Sequence, residues 1–284
     1  MKNNTILIAI GKNCAERELS KKLEEARNLS GHAAILIIGQ TPPYPVFAYG
    51  SPAYTAAIIP EEWQQAVSEE GAALKAKAEA VEKVLALHDV SGDVTTICCE
   101  PALIPDAVAR RAMLCDLAIV TRDLRETPDI FRQVTYGLLF HSPIGAILPD
   151  ANDDDVMTPK RVFVAWNTSL QTARAVHQAL PILRNADEVT IATIDPVMTE
   201  HRDGQNPGSD VAKWLTHHGC NVVVKQYPSG GLGIGTCIIE RSKECGTDLV
   251  VMGAYGHSRL RESVFGGTTR TLIEQSDQAV FLAH

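Results

Sequence analysis

The sequence predicts an α/β protein built as two tandem five-stranded parallel sheets with helices on both faces. Three observations lead there. Short apolar runs rich in branched residues recur along the chain, helical stripes alternate with them, and the second half repeats the plan of the first. Ile6-Leu-Ile-Ala-Ile10 matches Val162-Phe-Val-Ala-Trp166. Asp116-Leu-Ala-Ile-Val120 matches Asp248-Leu-Val-Val-Met252, and Ala146-Ile-Leu148 matches Val280-Phe-Leu282. Continuous apolar runs of this kind read as strands buried on both faces.

The helices follow from spacing and end signals. Trp63, Val67, Leu74, Ala78, Val81 and Leu85 mark a long amphipathic helix, with Pro60 at its start and Glu61 and Glu62 in the first turn. Both signals suit the positive end of a helix. In the second half Ala173, Val176, Ala179, Leu180 and Leu183 form a stripe that Thr168 or Ser169 would cap, with Pro181 near its last turn. Each half therefore reads β-α-β-α-β-α-β-α-β, which implies right-handed crossovers between parallel strands. The first domain is expected over residues 1–150 and the second over 160–284. A linker from Pro149 to Lys160 joins them, with Asp150, Asp153, Asp154 and Asp155 seeking solvent. Residues 41–60 are an insertion rich in proline and aromatics (Tyr44, Phe47, Tyr49, Tyr54) that the second half lacks. It reads as a loop packed on its own domain, or as a cover for a ligand cleft or partner surface.

Size and composition agree with this plan. The 284 residues suit about two domains, each large enough for its own core. A net charge of −8 argues against a sequence-independent grip on nucleic acid and against an anionic membrane surface. No run is long enough to span a bilayer, and the first apolar run is too short for a signal peptide. The seven cysteines (Cys14, Cys98, Cys99, Cys115, Cys220, Cys237 and Cys245) include no CxxC pair. They read as reduced thiols of a cytoplasmic protein, with Cys98-Cys99 as plain strand residues.

The chemistry-bearing segment lies near the C-terminus. Asp248–Met252 runs into Gly253-Ala-Tyr-Gly256, and after nine intervening residues come Gly266-Gly267-Thr268-Thr269 at the start of an expected helix. Small residues let backbone N–H groups approach an anion, and a helix N-terminus adds partial positive charge. The alternative is that the glycines only permit tight strand-to-helix packing. Other signals are weaker. Gly230-Gly-Leu-Gly-Ile-Gly235 has GxGxG spacing on an outer strand and reads as a flexible loop. His217-His218 near Cys220 read as helix-end histidines, and His201 with Asp203 carries no more weight. No phosphate-binding lysine loop, nucleophile elbow or carboxylate pair supports catalysis.

These glycines, with Gly-Ala-Tyr-Gly-His-Ser-Arg-Leu-Arg from Gly253, with Val162-Phe-Val-Ala-Trp-Asn-Thr-Ser and with Ala173-Arg-Ala, resemble the universal stress proteins. The chain is similar to two copies of that family's domain, strongly from about residue 160 and more loosely before it. The resemblance implies strand order 3-2-1-4-5 in each half. Its switch point would place a crevice beside Trp166-Asn167 and Gly253-Ala254. It implies an adenine nucleotide there, ATP, with Mg²⁺ as a companion, in a stress-response sensor or regulator that is no enzyme beyond slow ATP hydrolysis. Gly253 and Gly256 would pass close to ribose and phosphates. Gly266, Gly267 and Thr268 would present N–H groups, and Thr268 or Thr269 a hydroxyl. His257, Arg259, Arg261 and Arg270 are cationic candidates, each equally readable as a solvated surface charge. Two positions depart from the family's pattern. Gly267 stands where Ser or Thr is usual, and Asn167 where an acidic residue contacts the base. In the first half Thr121-Arg-Asp-Leu-Arg-Glu-Thr-Pro128 replaces the loop, and Arg132-Gln-Val-Thr-Tyr136 replaces the small residues at the helix start, so no phosphate cradle is expected there. The resemblance also implies association through strand 5, with Gly145–Leu148 facing Ala279–Leu282 in an intramolecular pseudo-dimer, and a possible homodimer. A structural interaction module without nucleotide, or an adenine-nucleotide enzyme of the wider fold, are the alternatives.

Overall fold

The computed structural model describes residues 4–43, 60–151, 156–201, 203–254 and 266–284. The first half contributes β1 (Thr5–Gly11), α1 (Glu16–Asn28), β2 (His32–Gln40), α2 (Glu61–His88), β3 (Gly92–Cys99), α3 (Ile104–Ala112), β4 (Leu117–Val120), α4 (Pro128–His141) and β5 (Gly145–Leu148). The second contributes β6 (Arg161–Ala165), α5 (Leu170–Leu183), β7 (Glu188–Ile194), α6 (Ser209–His217), β8 (Val222–Tyr227), α7 (Ile234–Glu244), β9 (Leu249–Gly253), α8 (Gly267–Glu274) and β10 (Ala279–Ala283).

The expectation of two separate sheets is corrected. The strands form one ten-stranded mixed sheet in the order β3-β2-β1-β4-β5-β10-β9-β6-β7-β8. Within each half the neighbours are parallel, but β5 and β10 pair antiparallel, with Leu148 opposite Val280, Ile147 opposite Phe281 and Ala146 opposite Leu282. The physical reason is edge management. A half alone would expose the N–H and C=O row of its fifth strand, and pairing the two fifth strands satisfies both rows at once. Both core layers cross the seam. Ile8, Ile119, Ile147, Phe281, Val251 and Val164 lie in one layer, and Ala9, Val120, Ala146, Leu148, Val280 and Phe163 in the other. This is the period-two alternation of strands covered on both faces. Phe281 is 1% exposed, a burial that contributes roughly 1.5–3 kcal/mol. Its ring occupies the space that a Cβ on Gly145 would need.

Side chains tie the seam further. Arg125 Nη1 donates to Ile273 O (2.8 Å) in the last turn of α8, and its guanidinium lies 4.5 Å from the Phe131 ring centroid. A cation at a helix C-terminus is electrostatically favoured. Gln178 Nε2 donates to Pro143 O (3.0 Å), and Ala151 N to Ser276 O (2.8 Å).

The repeated aspartates have a shared task. Asp116 Oδ2 accepts from Thr5 N at the start of β1 (2.8 Å). Asp248 Oδ2 accepts from Lys160 N and Arg161 N at the start of β6 (2.8 Å each). Each carboxylate satisfies backbone donors that the ladder leaves open. The linker is less solvent-seeking than its aspartates suggest. Val156 and Met157 are buried, and Met157 N donates to Glu25 Oε2 (3.3 Å). Asp153–Asp155 and residues 44–59 of the insertion lie outside the described residues.

A second correction concerns α4. Arg132–Tyr136 falls in the middle of the helix and not at its start, because Pro128 opens the helix after Thr127. Proline suits the first helical position, where its missing N–H costs nothing. In α5 Ser169 is the cap, its Oγ accepting from Thr172 N (3.3 Å). Pro181 lies inside that helix.

Candidate functional site

Strand β6 ends beside the end of β9, at the switch point where chain connections diverge to opposite sides. Trp166 is still held to the sheet, its N donating to Ala192 O (2.8 Å). Asn167 then turns the chain toward α5. Its Oδ1 accepts from Ser169 Oγ (2.7 Å) and from Thr172 Oγ1. Ser169 thus serves both the α5 N-terminus and Asn167, and the exposed Asn167 amide is fixed by two hydroxyls with its NH₂ donors left over. Ala254, just past β9, is held by its own N–H to Ala283 O (2.7 Å) and by His284 Nδ1 donating to its carbonyl (2.9 Å).

Between these turns and the start of α8 is a hollow of about 430 Å³. Small-molecule sites occupy about 300–1,000 Å³. Ala192, Ile194, Ile238 and Met252 give it an apolar floor, and Asn167, Ser169 and Thr172 a polar rim. Gly266, Gly267, Thr268 and Thr269 line the opposite side. Gly266 is the N-cap of α8 and has no side chain to close it, and Gly267 and Thr268 open that helix on the side of the hollow. No charged side chain lines it among the described residues.

Of the nine expected site residues, the structure brings six together: Asn167, Gly253, Gly266, Gly267, Thr268 and Thr269. Gly256, His257 and Arg259, together with Arg261, lie outside the described residues. Arg270 is exposed and pairs along its own helix with Glu274 (2.7 Å).

The two decisive glycines differ. A Cβ on Gly253 would lie 2.5 Å from Thr172 N and 2.6 Å from Gln171 C, so glycine is required there for the strand to approach the backbone of α5. At Gly253 the packing explanation suffices. A Cβ on Gly267 would meet nothing within 4 Å among the described residues, none of which needs Gly267 to be small.

Sequence reading missed the floor. Ile234 and Ile238 come from α7, which follows the GxGxG segment. That segment forms a turn. Gly230 and Gly231 take φ of 62° and 86°, and Gly233 caps α7. A Cβ on Gly235 would sit 2.7 Å from Thr271 Cβ, so this glycine sets the α7–α8 contact. The outward end of each strand was the signal that could have found the floor, since Ala192, Ile194 and Met252 all lie at C-terminal strand ends.

No described helix is long and apolar enough to cross a membrane. No model of a protein family matches the chain, and no curated protein does. Solved structures do. A universal stress protein from Archaeoglobus fulgidus DSM 4304 superposes with a TM-score of 0.67 at 14% identity, covering 99% of this chain and 96% of that one. A functionally unknown protein from Pseudomonas aeruginosa PAO1 superposes with a TM-score of 0.54 at 12% identity, over 99% and 92%. The chain has the universal stress protein fold. At these identities the likeness concerns the fold.

Proposed function

We propose that the chain binds an adenine nucleotide, ATP, in the hollow beside β6 and β9, and acts as a stress-response sensor or regulator. One observation carries the reading. Gly267 opens the N-terminus of α8 onto space that no described residue fills. A phosphate there would accept from the N–H groups of Gly267 and Thr268 and meet the positive end of the helix dipole. The apolar floor suits a flat ring, and the Asn167 NH₂ group is a donor for a ring nitrogen. No described carboxylate lines the hollow, so Mg²⁺ would arrive with the nucleotide and not on a protein cage. The sensor role rests on likeness of fold to a universal stress protein. Slow hydrolysis is the most that the neutral lining supports, since no base faces the site among the described residues.

Calorimetric titration of ATP, with and without Mg²⁺, tests the reading, alongside mass spectrometry of nucleotide released from the purified protein. Micromolar binding that weakens roughly ten- to a hundredfold in Gly267→Val is expected. Binding weaker than millimolar, unchanged by that substitution, would leave the structural interaction module as the better account.

A further inference from the structure

At the C-terminal end of α7, away from the Ile234 and Ile238 that line the hollow, three reactive groups converge. Cys245 caps the C-terminus of α7 and is half-buried. Lys225 and Tyr227 project toward it from the outer strand β8. Lys225 Nζ donates to Cys245 Sγ at 3.5 Å, and the Tyr227 hydroxyl lies 3.3 Å from the same sulfur. Around them, Glu244 pairs with Arg241 (2.7 Å), whose guanidinium sits 5.6 Å from the Tyr227 ring centroid.

The other cysteines are placed differently. Burial, then Asp123 and Glu18, push the Cys14 thiol up to about 12. Burial likewise pushes Cys99, Cys115 and Cys220 up. Cys237 is fully buried. Cys98 is exposed, with Thr41 Oγ1 3.8 Å from its sulfur. Cys245 combines partial exposure with a lysine amine in hydrogen-bonding contact with its sulfur.

We propose that Cys245 and Lys225 are a modification site at which a hydroperoxide drives formation of a sulfur–nitrogen cross-link between α7 and β8. In the first step the sulfur attacks a peroxide oxygen. An S–O bond forms, the O–O bond breaks, and the thiol proton leaves with the departing oxygen, as water from hydrogen peroxide or as the alcohol from an organic hydroperoxide. Sulfur is oxidised by two electrons to the sulfenic acid and the peroxide is reduced. In the second step Lys225, having lost its extra proton to solvent, attacks the sulfur with its lone pair. An S–N bond forms, the S–O bond breaks, and the hydroxide leaves as water with a proton from nitrogen. No further oxidant is consumed. Condensation of a sulfenic acid with nitrogen is established chemistry, and thiols reverse it. The Lys225 amine already touches the sulfur, so it captures the intermediate ahead of a distant thiol.

The test uses the full chain treated with hydrogen peroxide, digested without reductant and mapped by mass spectrometry. The peptides bearing Lys225 and Cys245 are expected joined, at a mass about 2 Da below their sum, and released by dithiothreitol. In Lys225→Arg, which keeps the cation but supplies a poor nucleophile, the link should vanish and dimedone should label Cys245 instead. Excess dimedone added with the peroxide should suppress the link in the unaltered protein, a control that needs no variant to fold. The proposal is overturned if dimedone labels Cys245 equally with and without Lys225. It is also overturned if the whole mass loss maps to a Cys98–Cys99 disulfide.

Discussion

The two halves share one plan and treat the same crevice in opposite ways. At the end of β1, where the second half has its hollow, the first half inserts Asp123. Its carboxylate lies against Gly11, accepts from Thr121 Oγ1 (2.6 Å), and leaves no room for a Cβ there. Burial pushes the Asp123 carboxyl above the usual carboxylate range. Lys12 beside it is spent on Glu70. The helix that follows opens with Pro128, which has no N–H to offer. A residual space of about 290 Å³ is thus lined by two carboxylates and a proline-headed helix, a poor host for phosphate. The second half presents Gly266-Gly267 and a helix N-terminus without a side-chain cap from Gly266 in the corresponding place. The lesson is that a doubled fold need not carry a doubled site. What separates the two crevices is a handful of residues at strand ends and helix starts.

Substitutions can test how deep that contrast runs. Gly253→Val should have the largest effect. Its side chain would collide with the backbone of α5, and we expect a loss of about 3 kcal/mol, read as a lower urea midpoint. An unchanged midpoint would mean that α5 can retreat. Gly267→Val should change stability by only about 0.5 kcal/mol, yet weaken ATP binding by roughly 1.4–2.7 kcal/mol, ten- to a hundredfold in calorimetry. If both variants lose binding and stability together, Gly267 is a packing residue like Gly253. Asp123→Asn should have the smallest effect. A carboxyl whose folded pKa is raised stabilises the fold most when protonated. That contribution is full below the ordinary value of 3.8 and is lost as pH rises through the higher folded value. Comparing urea midpoints at pH 4 and pH 6 should therefore show a drop in the unaltered protein that is smaller in Asp123→Asn. An identical drop would place Asp123 in contact with solvent.

Much of this was legible in the sequence, for identifiable reasons. Strands buried on both faces announce themselves as unbroken branched runs, as Ile6–Ile10 and Leu249–Met252 do. The matching Asp116 and Asp248 exposed the repeat. The glycine spacing identified one wall of the hollow. Periodicity, however, does not name a strand's neighbour, so Ala146–Leu148 and Val280–Leu282 read as buried without revealing that they complete one sheet. Matching Arg132–Tyr136 to the glycine pair missed the start of α4, because Thr127-Pro128 is a stronger helix-opening signal than similarity across a divergent repeat. Nor could spacing separate Gly253 from Gly267, since the difference is which atoms stand opposite a missing methyl group.

The antiparallel seam has a consequence for biosynthesis. About 130 residues separate Leu148 from Ala279, so at translation rates of 5–20 residues per second the nascent first half waits on the order of 10 s for its partner strand. Throughout that interval Gly145–Leu148 offers an unclaimed apolar edge. Neighbouring polypeptides on one messenger could exchange their last strands across it, so crowded expression should yield swapped dimers that dilution of the finished protein does not undo.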